Sequence, residues 1–120
     1  MKTVMVVDDD KLSLNSVMKI LSDSYKVVLM TSGEMALSYL SKNIPDLILL
    51  DILMPNMDGF EVMKAIRANP VWADIPVIFL TADVSPQTCT KGGGLGVAGF
   101  MAKPLEAERM ISGVEAVIGK

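Results

Sequence analysis

Acidic residues gather in two places where an apolar run ends. Val4-Met5-Val6-Val7 leads into Asp8-Asp9-Asp10, and Leu47-Ile48-Leu49-Leu50 leads into Asp51. A short apolar run bounded by polar residues reads as a buried strand. A carboxylate at the C-terminal end of such a strand stands where the chain leaves the core. Two such ends side by side bring three or more carboxylates into one crevice. Unit charges about 4 Å apart repel by roughly 4 kcal/mol at an effective dielectric of about 20. A cluster of this kind calls for a cation, and carboxylate oxygens are hard ligands that suit Mg²⁺ or Mn²⁺. A carboxylate beside a bound cation can accept a phosphoryl group. Asp51 is the candidate nucleophile, and Asp8 or Asp9, or both, are candidate holders of the cation. Asp10 is placed to cap the helix that follows. Thr81 offers a hydroxyl donor after the apolar run 77–80, and Lys103 offers a positive charge after 99–102.

The elements that must position these residues alternate along the chain. Strands are expected at 3–7, 25–30, 47–50, 77–80 and about 99–102. Helices are expected at about 11–22, 33–41, 59–68, from near Ser85-Pro86, and about 105–118. Leu12, Val17, Ile20 and Leu21 recur at helical spacing, and Met35, Ala36, Leu37, Tyr39 and Leu40 give the second helix its apolar surface. Ser32 can cap that helix, Asp58 with Glu61 forms a capping pattern for the third, and Asn69-Pro70 ends it. Five βα units in a row argue for an α/β fold, a parallel sheet covered by helices on both faces. The strands are apolar throughout rather than alternating, as burial on both faces requires. The expected arrangement is a doubly wound, flavodoxin-like (βα)5 sheet of order 2-1-3-4-5, with its crevice at the carboxyl ends of strands one and three. Those ends carry Asp8-Asp9 and Asp51.

Composition narrows the classes. The chain has 120 residues, 51% hydrophobic and 21% charged, which suits one globular domain over 1–120. A net charge of −3 gives no electrostatic reason to bind nucleic acid or an anionic membrane. No apolar stretch has the length of a membrane span, and the N-terminus lacks a signal-peptide pattern, so a cytoplasmic protein is expected. Cys89 is the only cysteine, which leaves no disulfide framework. The sequence contains no histidine, which excludes a histidine base, a histidine metal ligand or a phosphohistidine on this chain. Ten methionines are many for this length, and most fall at apolar positions, as core gap-fillers do.

The ordered set Asp8-Asp9, Asp51-Ile-Leu-Met-Pro55, Asp58-Gly59, Thr81-Ala82 and Lys103-Pro104 resembles the receiver domain of two-component response regulators. The resemblance covers nearly the whole chain. It implies that a partner phosphohistidine, on a sensor histidine kinase or phosphotransfer protein, donates a phosphoryl group to Asp51 with Mg²⁺ bound, Mn²⁺ being a substitute. It implies that Asp9 and Asp51 are side-chain metal ligands, that Asp8 acts largely through water, and that the Leu53 backbone carbonyl completes the protein ligands. Lys103 resembles the lysine that pairs with the acceptor and then with its phosphoryl group, and the Lys103–Pro104 bond is cis in most such domains. Thr81 resembles the hydroxyl drawn toward the phosphoryl group, and Phe100 the aromatic switch residue, here expected to stay more inward for want of a hydroxyl. The partner downstream would be a protein target or an output domain, and no turnover of an external small molecule is expected.

Other readings carry their own marks. The same sequence would serve as a receiver cut from a longer regulator, since an output domain would attach past residue 120. An aspartyl-nucleophile phosphohydrolase needs a second acid two residues after the nucleophile, where this chain has Leu53. A flavodoxin-like cofactor binder wants a phosphate-cradling loop after strand one, and Asp8-Asp9-Asp10 would repel a phosphate. A phosphorylation-independent interaction module would not need the complete acceptor set. Lys91-Gly-Gly-Gly-Leu-Gly96 departs from helical composition, each interior glycine costing roughly 1 kcal/mol relative to alanine. A short or frayed fourth helix is the expectation. Asp83, two residues beyond Thr81, is placed either to orient or to repel a water.

Overall fold

The computed structural model describes residues 1–83 and 85–120. Five strands and five helices alternate in the order β1 (Thr3–Val7), α1 (Lys11–Leu21), β2 (Lys26–Met30), α2 (Gly33–Leu40), β3 (Leu47–Asp51), α3 (Gly59–Ala68), β4 (Val77–Thr81), α4 (Pro86–Gly94), β5 (Gly99–Ala102) and α5 (Ala107–Ile118). The strands form one parallel sheet in the order β2-β1-β3-β4-β5. Successive side chains of a strand point to opposite faces, so each strand feeds two cores. Met5, Val7, Ile48, Leu50 and Phe79 pack with α2 and α3 on one face. Val4, Val6, Leu47, Leu49 and Leu80 pack with α1 and α5 on the other.

Register decides which residues meet at the carboxyl edge. Val7 lies opposite Leu50, so the next residues, Asp8 and Asp51, emerge side by side. Asp51 lies opposite Leu80 and Thr81 opposite Ala102, so Thr81 and Lys103 follow at the same edge. The helix starts are fixed locally. Asp10 caps α1 through Leu12 N at 3.0 Å, and Ser32 caps α2 through Met35 N at 3.1 Å. Asp58 and Glu61 form a reciprocal capping box at α3, with bonds of 2.9 and 3.2 Å. Ser85 caps α4, with Pro86 in its first turn.

Three expectations change. Leu12 is 77% exposed, and Leu14 with Val17 and Leu21 forms the buried stripe of α1 instead. Met35 is likewise exposed on α2, whose buried residues are Gly33, Ala36 and Leu40. α5 begins at Ala107, since residues 103–106 are spent turning the chain out of β5. α4 runs nine residues through Gly92, Gly93 and Gly94, against eight in α2 and ten to twelve in α1, α3 and α5, so it is a short helix as expected.

Tertiary contacts offset the weak helix propensity of that glycine run. Gly92 is the buried residue of α4, and Arg67, in the last turn of α3, reaches across to the segment that follows. Its guanidinium donates to the carbonyls of Leu95 and Gly96 at 3.3 and 3.0 Å, and to those of Ala73 and Ile75 at 2.6 and 3.0 Å. A helix end leaves carbonyls without partners, and here a side chain of another helix supplies donors to them. Burial pulls the Arg67 pKa down, with the charge of Asp74 acting against it.

Candidate functional site

Asp8, Asp9 and Asp51 each offer a carboxylate oxygen, and these oxygens lie within 4.8 Å of one another. Asp8 is fully buried and Asp51 is 5% exposed, whereas Asp9 is exposed. The buried pair comes from the ends of β1 and β3, and Asp9 reaches in from the loop above. One Asp8 oxygen accepts from Asp10 N at 2.9 Å, which holds the turn after β1. Behind Asp51, Gly59 N donates to Ile52 O at 2.8 Å. A Cβ on Gly59 would stand 2.5 Å from the Asp51 carbonyl oxygen and 2.7 Å from Ile52 Cα. Only glycine lets α3 begin this close to the strand that presents Asp51.

Lys103 is the cation of the site. Its Nζ lies 2.7 Å from Asp8 Oδ2 and 3.5 Å from Asp51 Oδ1. The tighter pairing is therefore with Asp8, whereas the resemblance implied pairing with the acceptor. Burial lowers the Lys103 pKa, but the hydrogen bond to Asp8 and the charges of Asp51 and Asp8 outweigh it and hold the value above that of a free lysine. Asp51 shows the opposite strain. Burial first, and the charge of Asp8 second, push its pKa up to about 7 against the pull of Lys103. One ammonium does not satisfy this many carboxylates. An oxygen-only donor set with two buried members fits a small hard divalent cation.

Thr81 is 2% exposed, and its hydroxyl is engaged with the loop beyond β4. Oγ1 accepts from Asp83 N at 2.9 Å and donates to Asp83 O at 3.1 Å. Phe100, on β5, is half-buried with its ring centroid 5.9 Å from that of Phe79. Leu53 projects a side chain that is 69% exposed, and the Lys103–Pro104 peptide is cis. Asp83, which the sequence left between two roles, has its carboxylate turned to α4. It accepts from Ser85 N at 2.9 Å and Thr88 Oγ1 at 2.7 Å. Those bonds, the Ser85 amide first, hold its pKa below the usual carboxylate range. The Asp-x-Ser spacing was the readable sign of that turn. The close approach of Gly59 had no comparable sign, because it depends on the angle at which α3 starts.

The sequence matches the response regulator receiver domain across residues 4–115. The chain belongs to that family. Among curated relatives it is 38% identical over 103 residues to a probable cyclic di-GMP phosphodiesterase of Vibrio cholerae, covering 86% of this chain and 23% of that protein. It is 33% identical over 116 residues to the response regulator MprA of a Mycobacterium species, covering 96% of this chain and 50% of that protein. The chain thus spans half or less of these two relatives. Its backbone superposes on the chemotaxis protein CheY4 of Vibrio cholerae with a TM-score of 0.93 at 32% identity, covering 98% of each chain. Receiver domains take part in phosphorylation-based signalling and interact with histidine kinases and downstream targets in general. No helix among the described residues is long and apolar enough to cross a membrane.

Proposed function

We propose that this domain, taken as one receiver unit over 1–120, accepts a phosphoryl group on Asp51 from a partner phosphohistidine and thereby switches a protein-binding surface. The observation that carries the reading is the buried Asp51 carboxylate, flanked by Asp8 and Asp9 within 4.8 Å and by the Lys103 ammonium at 3.5 Å. In the step, an Asp51 oxygen attacks phosphorus while the P–N bond breaks, and the electron pair leaves with the imidazole, which takes up a proton. Lys103 is placed to follow the charge as it moves from the carboxylate to the phosphoryl oxygens. Asp9 and Asp51 would hold Mg²⁺, or Mn²⁺ in its place, with the Leu53 carbonyl, while Asp8 fixes Lys103 and acts on the metal through water. The cation supplies neutralisation of charge on the phosphoryl oxygens when bound. Burial and the neighbouring Asp8 keep Asp51 partly protonated near neutral pH without metal, so the unloaded site is a poor nucleophile.

The switch follows from hydrogen-bond competition. The Thr81 hydroxyl now donates to the Asp83 carbonyl. A phosphoryl group on Asp51 would draw that donor away and release the loop that leads into α4. Phe100 would then move relative to Phe79. The domain would assist its own phosphorylation and dephosphorylation without turning over an external metabolite. A cytoplasmic setting and a partner reached through protein contact alone complete this reading.

Incubation with Mg²⁺ and acetyl phosphate, followed by intact-mass measurement, tests the acceptor. Wild type gains one labile phosphoryl group and Asp51→Ala gains none. Equal labelling of both proteins would overturn the assignment.

A further inference from the structure

Three consecutive glycines in α4 look interchangeable in the sequence, but their surroundings differ. A Cβ on Gly92 would lie 2.6 Å from Phe100 Cζ, 3.0 Å from Phe100 Cε1 and 3.1 Å from Phe79 Cδ2. A Cβ on Gly93 or Gly94 would meet nothing within 4 Å. Gly92 is buried, and its backbone forms the roof over the ring of Phe100.

The roof belongs to a larger contact. Phe60, Phe79 and Phe100 form a row, with centroids 5.5 Å apart at 80° and 5.9 Å apart at 52°. α4 lies across it, with Lys91 Nζ 4.2 Å from the Phe60 ring centre and Gly92 against Phe100. Phe79 is fully buried on β4, a strand paired on both sides, and has no room to yield. Phe100 is half-buried on an edge strand, and the atoms in the way are the far end of its side chain. A methyl group at position 92 would therefore displace Phe100 rather than Phe79 or the helix.

We propose that Gly92 is a positioning residue whose missing side chain is the slot that seats Phe100 inward. The resting state of the aromatic switch is thus set from α4, through the one glycine of the three that touches a ring. The signalling consequence rests on the phospho-acceptor reading above, whereas the seating itself does not.

Two measurements on the unphosphorylated, metal-free chain test this. In protein carrying ring-labelled phenylalanine, wild type and Gly93→Ala should both give cross-peaks between the Phe100 and Phe79 rings, and Gly92→Ala should lose them. Gly93→Ala makes the same gain in helix propensity without the contact, so it isolates the slot. Retention of the cross-peaks in Gly92→Ala, or their loss in Gly93→Ala as well, would overturn the proposal. The second measurement is a double-mutant cycle in melting temperature. Gly92→Ala should raise the midpoint when Phe100 is alanine and fail to raise it when Phe100 is present. The same change in both backgrounds would overturn the proposal even if Gly92→Ala alone folds poorly. Acetyl phosphate labelling of Asp51 is read separately, so a seat without an acceptor and an acceptor without a seat give different results.

Discussion

Asp51 is buried and sits beside Asp8, yet the proposed phosphoryl transfer needs it ionised. Its pKa of about 7, raised by burial and by Asp8 from an ordinary value of 3.8, records that conflict. The folded state therefore binds more protons than the unfolded state between those two values. Stability contributed by protonated Asp51 is present at low pH and is lost as pH rises toward about 7. In EDTA, the difference in unfolding free energy between wild type and Asp51→Asn should fall as pH rises through this window and then level off. Urea titrations at several pH values check this, and parallel curves would remove the conflict from the account. The acids, Thr81 and Lys103 were legible because each follows an apolar run, and a parallel sheet brings all such ends to one edge. Which carboxylate takes Lys103 was not legible, because 2.7 Å to Asp8 against 3.5 Å to Asp51 is decided by side-chain geometry alone.

At the scale of elements, caps and strand ends were the readable part. Asp10, Ser32, Asp58 and Ser85 sit where a short polar side chain precedes a helical pattern, and each makes its capping bond. α4 was the hard case. Its glycines argued for fraying, and what opposes them is contact with rings and a guanidinium far along the chain. Arg67 could not be read as a clamp because its partners are backbone carbonyls, which every residue carries. Replacement by lysine keeps the charge but loses the planar fork that spans four acceptors. Hydrogen bonds to charged groups contribute about 1.5–3 kcal/mol each. Arg67→Lys should therefore lower stability by about 2 kcal/mol in urea unfolding and speed amide exchange in residues 95–97. A change within about 0.5 kcal/mol, as at an ordinary surface position, would dismiss the clamp.

Across the whole molecule the two edges of the sheet do different work. The carboxyl edge holds the acids, Thr81 and Lys103. The opposite edge holds Trp72, which precedes β4 and donates from Nε1 to Leu40 O at 3.1 Å. The one tryptophan of the chain is thus a poor reporter of the acidic site. Mg²⁺ should raise the melting temperature, because a ligand of the native state at about 100 times its Kd adds about 2.7 kcal/mol. Tryptophan emission should stay unchanged in the same titration. A large emission change, or no thermal shift at millimolar Mg²⁺, would count against this division of the sheet. The order of strands was open to reading because crossovers in such sheets follow few rules; the pairing of loops was not. Arg67 ties the turn after α3 to the turn after α4. A residue inserted in either turn would pull carbonyls off the same guanidinium, so the lengths of two separate loops are held by one side chain.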